Sequence, residues 1–393
     1  MTADGDRVPL RERTAEELLA LVRAGGASTR QELVNSTRMA RSTVNQAVAR
    51  LIREGRITES DRAPKGPGSG SGRPAVRLVA VVDASAVAGI DFGHSHVQVA
   101  VADEQGAFLG HRIARLDVDA HAPAALDLAA TMLDGLVRTT GVTLGSVVAG
   151  VPGPLDARTG AVTSPTILSS WVGLHPGAEL TRRLALPVRV ENDAVLGAYG
   201  EARHGAGAGR GRADFLYVKA SHGIGAGLVV GGRLYTGATG IAGEIGHIGL
   251  PGRPESCRCG KRGCLEAVVS VEAVRARVAL VDPSRGVADV LLDRRGGPVV
   301  ERVAHEAGRT LGTVLAQLCD LLNPGALVLG GELATVPGFV DGVRAAVERD
   351  AQPAIAATVE VRAAALGDRA ELHGALELAA ASSPARADGD APH

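Results

Sequence analysis

The chain has 393 residues, a length that allows two or three domains. Apolar residues make up 45% of it and charged residues 22%, which excludes a disordered or fibrous chain. The net charge of −1 excludes a polycation that coats nucleic acid. No apolar run reaches the roughly 18 residues of a membrane span, and the polar N-terminus has no signal-peptide core. We therefore expect a cytoplasmic globular protein that has no membrane partner.

The charge is divided unevenly along the chain. Residues 1–82 contain fourteen basic and nine acidic side chains, a net charge of +5, so residues 83–393 carry −6. Between the two parts, residues 63–72 read APKGPGSGSG, a composition typical of a loop or linker. A small basic region ahead of a larger acidic one is typical of a nucleic-acid-binding module joined to another domain. A solvated basic surface would have the same charge.

Three helices are predicted in the basic region, over about residues 14–23, 30–34 and 40–54. Capping-box patterns at Thr14–Glu17 and Thr29–Glu32 predict where the first two helices begin. In the third helix, apolar residues recur at i, i+4, i+7 and i+8, so they form one buried stripe.

Two strands are predicted after these helices, over residues 56–60 and 75–81, on either side of the Gly-rich loop of residues 63–74. Three helices followed by a two-stranded wing resemble a MarR-like winged helix-turn-helix over residues 12–82. A small three-helix bundle with a polar surface is the alternative. Helix-turn-helix motifs often have Gly in the turn and Ser at the cap of the third helix, where this chain has Arg38 and Ala40.

Six polar side chains are candidate DNA contacts. In a helix-turn-helix the first turns of the third helix enter the major groove, where Arg binds guanine and Asn or Gln binds adenine. A Gly-Arg-Pro segment at the root of the wing can place its Arg in a narrow minor groove. The candidates are Arg41, Ser42, Thr43, Asn45, Gln46 and Arg73.

The acidic region predicts an α/β domain with a repeated strand pattern. The first copy has two strands within residues 86–103, a strand over 108–116, a helix over 122–139 and a strand over 146–151. The second copy begins with strands over residues 215–220 and 227–230, separated by a turn at 223–225. Because the paired strands recur after about 125 residues, we predict two similar lobes with a cleft between them.

The most specific motif combines His247 with Cys257, Cys259 and Cys264 in an eighteen-residue window. Three thiols and one imidazole are the donor set of a tetrahedral structural zinc site. Because four protein ligands leave no position for water, such a metal would be structural rather than catalytic. The alternative is three reduced thiols beside an unrelated histidine. Cys319 lies in a predicted apolar helix over residues 303–322 and is expected in the core.

Carboxylates and amides flank the cysteine-rich loop. Residues 191–193 read END after a predicted strand over 187–190, Glu244 precedes His247, and Glu266 follows Cys264. Such groups accept from and donate to vicinal hydroxyls, so their convergence on a cleft favours a polyhydroxylated ligand. Each of them alone could be an ordinary surface charge.

Together these motifs resemble the ROK family of transcriptional repressors and sugar kinases. The resemblance spans about residues 85–380 and rests on segments 191–194 (ENDA), 223–227 (GIGAG), 240–247 (GIAGEIGH), 257–266 (CRCGKRGCLE) and 329–331 (LGG). It implies a two-lobed actin-like ATPase fold of the ribonuclease H-like class. A winged helix-turn-helix ahead of this domain is the arrangement of the family's regulators.

The resemblance also implies a division into domains. A DNA-binding domain would span residues 1–82, a sugar-kinase-like domain 83–380 and a disordered tail 381–393. The first lobe would comprise about residues 83–197 with a C-terminal helix over 369–382, and the second lobe about residues 198–368.

Individual roles follow from the matching positions. The resemblance implies sugar contacts for Asn192, Asp193, Glu244, His247 and Glu266, and zinc ligation for His247, Cys257, Cys259 and Cys264. Asp193 matches the base that takes the proton from the sugar hydroxyl in the kinases. His247 can serve both sites through its two ring nitrogens.

The phosphate loops favour a regulator over a kinase. The kinases have a first loop that resembles Asp-x-Gly-Gly-Thr, whereas residues 91–95 read DFGHS. Their second loop has Gly-Thr-Gly, whereas residues 221–223 read SHG. Both changes affect atoms that would hold ATP, so His94 and His222 argue against phosphoryl transfer.

We therefore expect a zinc-containing homodimeric or homotetrameric regulator with no catalytic residues, acting as a repressor. It would bind an inverted-repeat operator in double-stranded DNA and respond to a sugar or sugar phosphate. One alternative is an ATP-dependent, glucokinase-like sugar kinase that carries a DNA-binding head. Another is a regulator that responds to a protein partner.

Overall fold

A computed structural model describes residues 10–23, 29–54, 56–60, 76–80, 86–103, 105–156, 159–162, 169–205, 212–283 and 297–382. Packing divides the chain into an N-terminal unit, Met1–Ser85 with Val137–Thr143, and a C-terminal unit, Ala86–Leu136 with Leu144–His393. Among the described residues, no helix combines the length and the apolar character that crossing a membrane requires.

The N-terminal unit contains three helices followed by two antiparallel strands, as predicted. The elements are α1 (Leu10–Arg23), α2 (Arg30–Thr37), α3 (Arg41–Arg53), β1 (Ile57–Ser60) and β2 (Arg77–Ala80). The fully buried side chains of Leu18, Leu33, Val48 and Leu51 form its core. Burial of this apolar surface is the main stabilising contribution to a unit of this size.

Of the two predicted helix caps, one is present in the structure and the other is not. Thr29 caps α2, because its hydroxyl accepts a hydrogen bond from the Glu32 backbone N–H at 3.2 Å. The prediction that Thr14 caps α1 is wrong, since α1 begins one turn earlier at Leu10. Residues 10–13 read LRER, and Leu, Arg and Glu all have high helix propensity, so they extend the helix beyond the Thr.

The turn between α2 and α3 carries backbone strain. Arg38 has a left-handed conformation with φ of 56°, where glycine is preferred, and its N–H donates to the Val34 carbonyl at 2.9 Å. Ala40 precedes α3 without a side-chain cap. Packing of the apolar stripe of α3, including Val44 and Val48, therefore has to hold this turn in place.

The first lobe of the C-terminal unit contains one mixed sheet in the order β5-β4-β3-β6-β7. Strands β3, β4 and β5 pair antiparallel, whereas β6 and β7 are parallel to β3. The elements are β3 (Ala86–Phe92), β4 (His96–Ala102), β5 (Phe108–Arg115), α4 (Ala122–Thr140), β6 (Leu144–Val151), α5 (Pro176–Leu184) and β7 (Val188–Asn192).

The second lobe repeats this strand arrangement in the order β10-β9-β8-β11-β12. Again three strands pair antiparallel and two are parallel to the central strand, so the predicted repetition of lobes is confirmed. The elements are α6 (Asp193–His204), β8 (Phe215–Ala220), β9 (Ile224–Val230), β10 (Arg233–Tyr235), α7 (Leu265–Val269), α8 (Val271–Val281), α9 (Pro298–Leu322), β11 (Ala326–Gly330), α10 (Phe339–Asp350), α11 (Pro353–Ala356), β12 (Glu360–Ala363) and α12 (Ala370–Ala381).

Helices α6 and α12 pack closely against each other where the two lobes meet. A Cβ atom on Gly200 would clash with the Ala370 carbonyl oxygen, and one on Gly374 would clash with the Leu196 carbonyl oxygen. Glycine at both positions therefore permits the close crossing. Helix α12 also packs on β3 and β6 of the first lobe, and α6 packs on β8 and β9 of the second.

The remaining predictions concern Cys319, the wing loop and the C-terminal tail. Cys319 is fully buried in the apolar cluster of the second lobe, as expected. The wing loop with Arg73, and residues 383–393 of the predicted tail, lie outside the described residues.

Candidate functional site

The four metal-ligand candidates lie together. One donor atom from each of His247, Cys257, Cys259 and Cys264 lies within 4.8 Å of the other three. Cys257 Sγ is 3.7 Å from His247 Nδ1, and Cys259 Sγ is 3.6 Å from Cys264 Sγ. Tetrahedral zinc, with Zn–S of about 2.3 Å and Zn–N of about 2.0 Å, requires ligand separations of about 3.5–3.8 Å. The donor set therefore fits zinc.

A tight loop brings the cysteines together. The Cys257 N–H donates to the Lys261 carbonyl at 2.8 Å, and the Gly260 N–H donates back to the Cys257 carbonyl at 3.0 Å. Gly263 has φ of +70°, and a Cβ there would lie 2.7 Å from the Arg253 carbonyl oxygen. Glycine is therefore required next to the fourth ligand, because a side chain would force the loop open.

The protonation of these ligands depends on the metal. Burial raises the pKa of the Cys264 thiol to about 12, with further contributions from the neighbouring Cys259 and Cys257. Burial, aided by the charge of Lys261, lowers the pKa of His247, which favours the neutral imidazole that binds metals. A cation would deprotonate the thiols and compensate their mutual repulsion.

A cleft with a cavity volume of about 30 Å³ adjoins this loop, so it is narrow in this conformation. All five predicted sugar contacts line it, so the structure brings them together: Asn192, Asp193, Glu244, His247 and Glu266. We call these five residues the sugar end of the cleft.

The chain turns sharply from β7 into α6 at the sugar end. Asn192 caps α6, because its Oδ1 accepts from the Val195 N–H at 3.2 Å, and its Nδ2 donates to the Gly153 carbonyl at 3.3 Å. Asp193 Oδ1 accepts from the Ala194 N–H at 2.7 Å. Local hydrogen bonds thus fix both side chains at the edge of the cleft.

Two glutamates reach the cleft from the segments around the cysteine loop. Glu266 Oε2 accepts from the Ile224 N–H at 3.2 Å, and only 6% of this residue is exposed. Burial, followed by the charges of Asp193 and Glu266, raises the pKa of Glu244 to about 7. Glu244 Oε2 lies 3.8 Å from His247 Nε2, so His247 directs Nδ1 to the cysteines and Nε2 to the glutamate.

Lys219, which no sequence motif singled out, also lines the cleft. Its Nζ donates to Asp193 Oδ2 at 2.8 Å and lies 3.3 Å from Glu371 Oε1, which also accepts from the Tyr217 hydroxyl at 3.1 Å. Burial alone would lower the pKa of Lys219, but the charges of Asp193, Glu371 and Asp91 raise it well above its ordinary value. One signal was available, because Lys219 is a charge within the apolar strand FLYVKA.

Asp91, from the first predicted phosphate loop, is the third carboxylate near Lys219. It is 2% exposed, and its Oδ2 lies 3.4 Å from both Gln98 Nε2 and His96 Nε2, whereas Oδ1 has no hydrogen-bond partner. Burial alone would raise the pKa of Asp91, but the His96 hydrogen bond and the charge of Lys219 lower it overall.

The two histidines of the predicted phosphate loops meet in the structure. The centroids of the His94 and His222 rings are 5.0 Å apart, with the rings tilted by 41°. His94 Nδ1 lies 2.8 Å from Asp119 Oδ1, and His222 Nδ1 is hydrogen-bonded to Glu272. We call these four residues the phosphate end, and of the four only His94 lines the cleft itself.

In the N-terminal unit, the predicted DNA contacts on α3 lie on one solvent-exposed surface. Arg41, Ser42, Thr43, Asn45 and Gln46 are all exposed, while Val44, Ala47 and Val48 are buried. The Arg41 guanidinium donates to the Gln31 side chain on α2. Hydrogen-bonding groups are therefore available on the first two turns of α3.

Comparisons with known proteins agree with this architecture. A xylose repressor from Bacillus spizizenii is 26% identical over 347 residues, which are 87% of this chain and 88% of the relative. A ROK family glucokinase from Streptomyces griseus, solved with glucose and AMPPNP, has a TM-score of 0.65 and 29% identity, and the match covers 75% of this chain and 99% of the glucokinase.

A third similarity includes the N-terminal unit. The structure of a ROK family transcriptional regulator, a homologue of the Escherichia coli MLC protein, matches 94% of this chain and 96% of its own, with a TM-score of 0.63 and 21% identity. At this identity the match shows the fold alone, helical N-terminal region included. The ROK family model matches residues 87–382, and the chain therefore belongs to the ROK family.

Proposed function

We propose that this protein is a sequence-specific DNA-binding transcriptional regulator that represses carbohydrate-related genes. Residues 1–82 would bind DNA, and residues 83–380 would bind a sugar or sugar phosphate without phosphorylating it. The observation that carries this proposal is the pairing, in one chain, of an exposed polar surface on α3 with a cleft lined by hydroxyl-binding side chains.

The DNA-binding role rests on the chemistry and placement of the α3 side chains. Asn45 and Gln46 carry paired donors and acceptors that match the edge of adenine, and Arg41 carries the donors that match guanine. Their exposure on the first turns of the third helix is the placement that major-groove recognition requires. In a homodimer or homotetramer, the N-terminal units of two subunits would bind the two halves of an inverted repeat. The xylose repressor relative, aligned over 87% of this chain, supports this role.

The effector role rests on the sugar end. Asn192, Asp193, Glu244, His247 and Glu266 present amide, carboxylate and imidazole groups to one small cleft, and such groups bind vicinal hydroxyls. The names of the relatives suggest xylose and glucose as first probes. Zinc held by the cysteine loop would fix the positions of Glu244, His247 and Glu266 relative to one another, which is a structural role.

The absence of kinase activity is part of the proposal. The His94 and His222 rings meet where the family's kinases have glycine-rich phosphate loops, and each ring is held by a carboxylate. Carboxylates at this position repel the phosphates of ATP. We propose that sugar binding instead changes DNA affinity by closing the two lobes around the ligand.

Enrichment of fragmented genomic DNA on the purified protein tests the proposal. At about 150 mM salt, where non-specific phosphate binding is weakened, we expect a few fragments that share an inverted repeat. Addition of D-xylose or D-glucose should change their affinity. If no fragment is enriched and the protein phosphorylates either sugar with ATP and magnesium, the proposal is wrong and the kinase alternative holds.

A matched pair of variants tests the assignment of α3. Asn45→Ala removes a predicted base contact and should weaken specific binding about 5- to 150-fold. Asn35→Ala removes the same side chain from the exposed surface of α2 and should have a smaller effect. An unchanged footprint and affinity for Asn45→Ala would overturn the assignment of the reading helix.

A further inference from the structure

Lys219 contacts two buried carboxylates, Asp193 and Glu371, and interacts electrostatically with a third, Asp91. Asp91 lies on β3, Asp193 at the start of α6 and Glu371 at the start of α12, while Lys219 lies on β8. The exposed fractions of the three carboxylate residues are 2%, 6% and 4%. Lys219 therefore provides a compensating positive charge for three acidic side chains in one buried region.

The contacts of Asp193 limit what this side chain can do. Its Oδ1 receives the Ala194 N–H at 2.7 Å, and its Oδ2 receives the Lys219 ammonium at 2.8 Å. Each oxygen keeps a further lone pair, so the carboxylate can still accept a hydrogen bond from a ligand hydroxyl. An ammonium at hydrogen-bond distance stabilises the ionised carboxylate and so opposes its taking a proton from that hydroxyl.

Glu371 anchors the lysine independently of Asp193. Glu371 Oε1 is 3.3 Å from Lys219 Nζ and accepts from the Tyr217 hydroxyl at 3.1 Å. Asp91 Oδ1, which has no hydrogen-bond partner, adds a further negative charge nearby. Lys219 is therefore held beside Asp193 even when a ligand hydroxyl competes for the Asp193 oxygens.

We propose that Lys219 is a positioning residue that holds Asp193 as a fixed hydrogen-bond acceptor for the sugar, so that the residue matching the kinase base serves binding alone. This inference rests on the proposed function, because it assigns Asp193 to a sugar-binding site. It explains how the cleft can keep Asp193 at the position of the kinase base and still act as a sugar sensor.

Four variants test the proposal by calorimetry with D-xylose and D-glucose. Lys219→Met removes the cation, and Lys219→Arg keeps it. The double variant Lys219→Met with Glu371→Gln removes one charge of each sign, so that it folds even if the single variant does not. Asp193→Asn is the reference for a lost acceptor, and melting temperature and zinc content report on folding.

The expected readout is a loss of affinity that the conservative variant restores. Without the cation, Asp193 loses the hydrogen bond that fixes its Oδ2, so both Met variants should bind sugar about 10-fold more weakly than wild type. Lys219→Arg keeps a cationic donor beside Asp193 and should bind within about threefold of wild type.

Two results would overturn the inference. If the folded Met variants bind as wild type does, Lys219 has only a structural role. If Lys219→Arg loses as much affinity as the Met variants, a cationic donor beside Asp193 is not what matters. Failure of the proposed function is distinguishable, because wild-type protein would then bind no sugar, and the role of Lys219 would fall with it.

Discussion

The two ends of the cleft use the same side-chain types in opposite ways. At the sugar end, backbone N–H groups fix one oxygen of Asp193 and one of Glu266, and both residues line the open cavity. At the phosphate end, Asp119 and Glu272 are paired with imidazoles that meet each other. The carboxylates of the sugar end therefore keep oxygen atoms available to the cleft, whereas the carboxylates of the phosphate end are paired with imidazole side chains.

Loss of the metal should have the largest effect, since the cysteine loop supports the sugar end. Cys259→Ser should lower the zinc content and destabilise the C-terminal unit by roughly 5 kcal/mol or more, because a structural zinc site contributes directly to folding. Sugar affinity should be lost with it. Metal analysis and thermal melting measure both effects.

Cys319→Ala is the matched control for that variant. It removes a buried thiol far from the loop in sequence and should keep the zinc, at a cost of about 1 kcal/mol. Normal melting of a zinc-free Cys259→Ser protein would show that the cluster does not stabilise the fold.

Removal of one glutamate from each end should show directly that the two ends contribute differently to sugar binding. Glu266→Ala deletes the acceptor of the buried Ile224 N–H and a predicted sugar contact, so sugar affinity should fall about 10- to 100-fold. Glu272→Ala deletes the partner of His222 and should change affinity less than about threefold. Calorimetry measures both, and equal losses would contradict the division of the cleft.

Opening the phosphate end should have little effect on binding. A double variant, His94→Ala with His222→Ala, removes the ring contact, and we expect sugar affinity to change less than about threefold. No ATP-dependent phosphorylation should appear, because the Lys219 ammonium still binds Asp193. A coupled nucleotide assay checks this, and clear turnover would show that the two histidines alone suppress a kinase.

The smallest effect is expected outside the cleft. Thr29→Ala removes the side-chain cap of α2 and should destabilise the N-terminal unit by about 1 kcal/mol, with sugar affinity unchanged. Thr58→Ala, at an exposed position on β1, should cost less than about 0.5 kcal/mol. Denaturant unfolding followed on both variants tests the difference, and equal midpoints would contradict the capping role.

Sequence reasoning succeeded where the interacting groups are close along the chain. The zinc ligands lie within eighteen residues, and apolar patterning located the elements of the N-terminal unit and the first two strands of each lobe to within a few residues. Helices α5 to α8, α10 and α11 were not predicted. It failed at the start of α1, where helix-forming residues upstream of Thr14 continue the helix. It also missed Lys219, whose partners come from other elements of the fold.

The sequence by itself determined the order of elements in the N-terminal unit, the donor set of the metal site and the replacement of both phosphate loops. These depend on local spacing and on residue identity, which can be read along the chain. Only the tertiary structure decided that Asp193 is paired with Lys219, 26 residues away, and that Tyr217 reaches Glu371 across 154 residues. Such contacts arise where β8, α6 and α12 come together, and no local pattern encodes which buried charges will meet there.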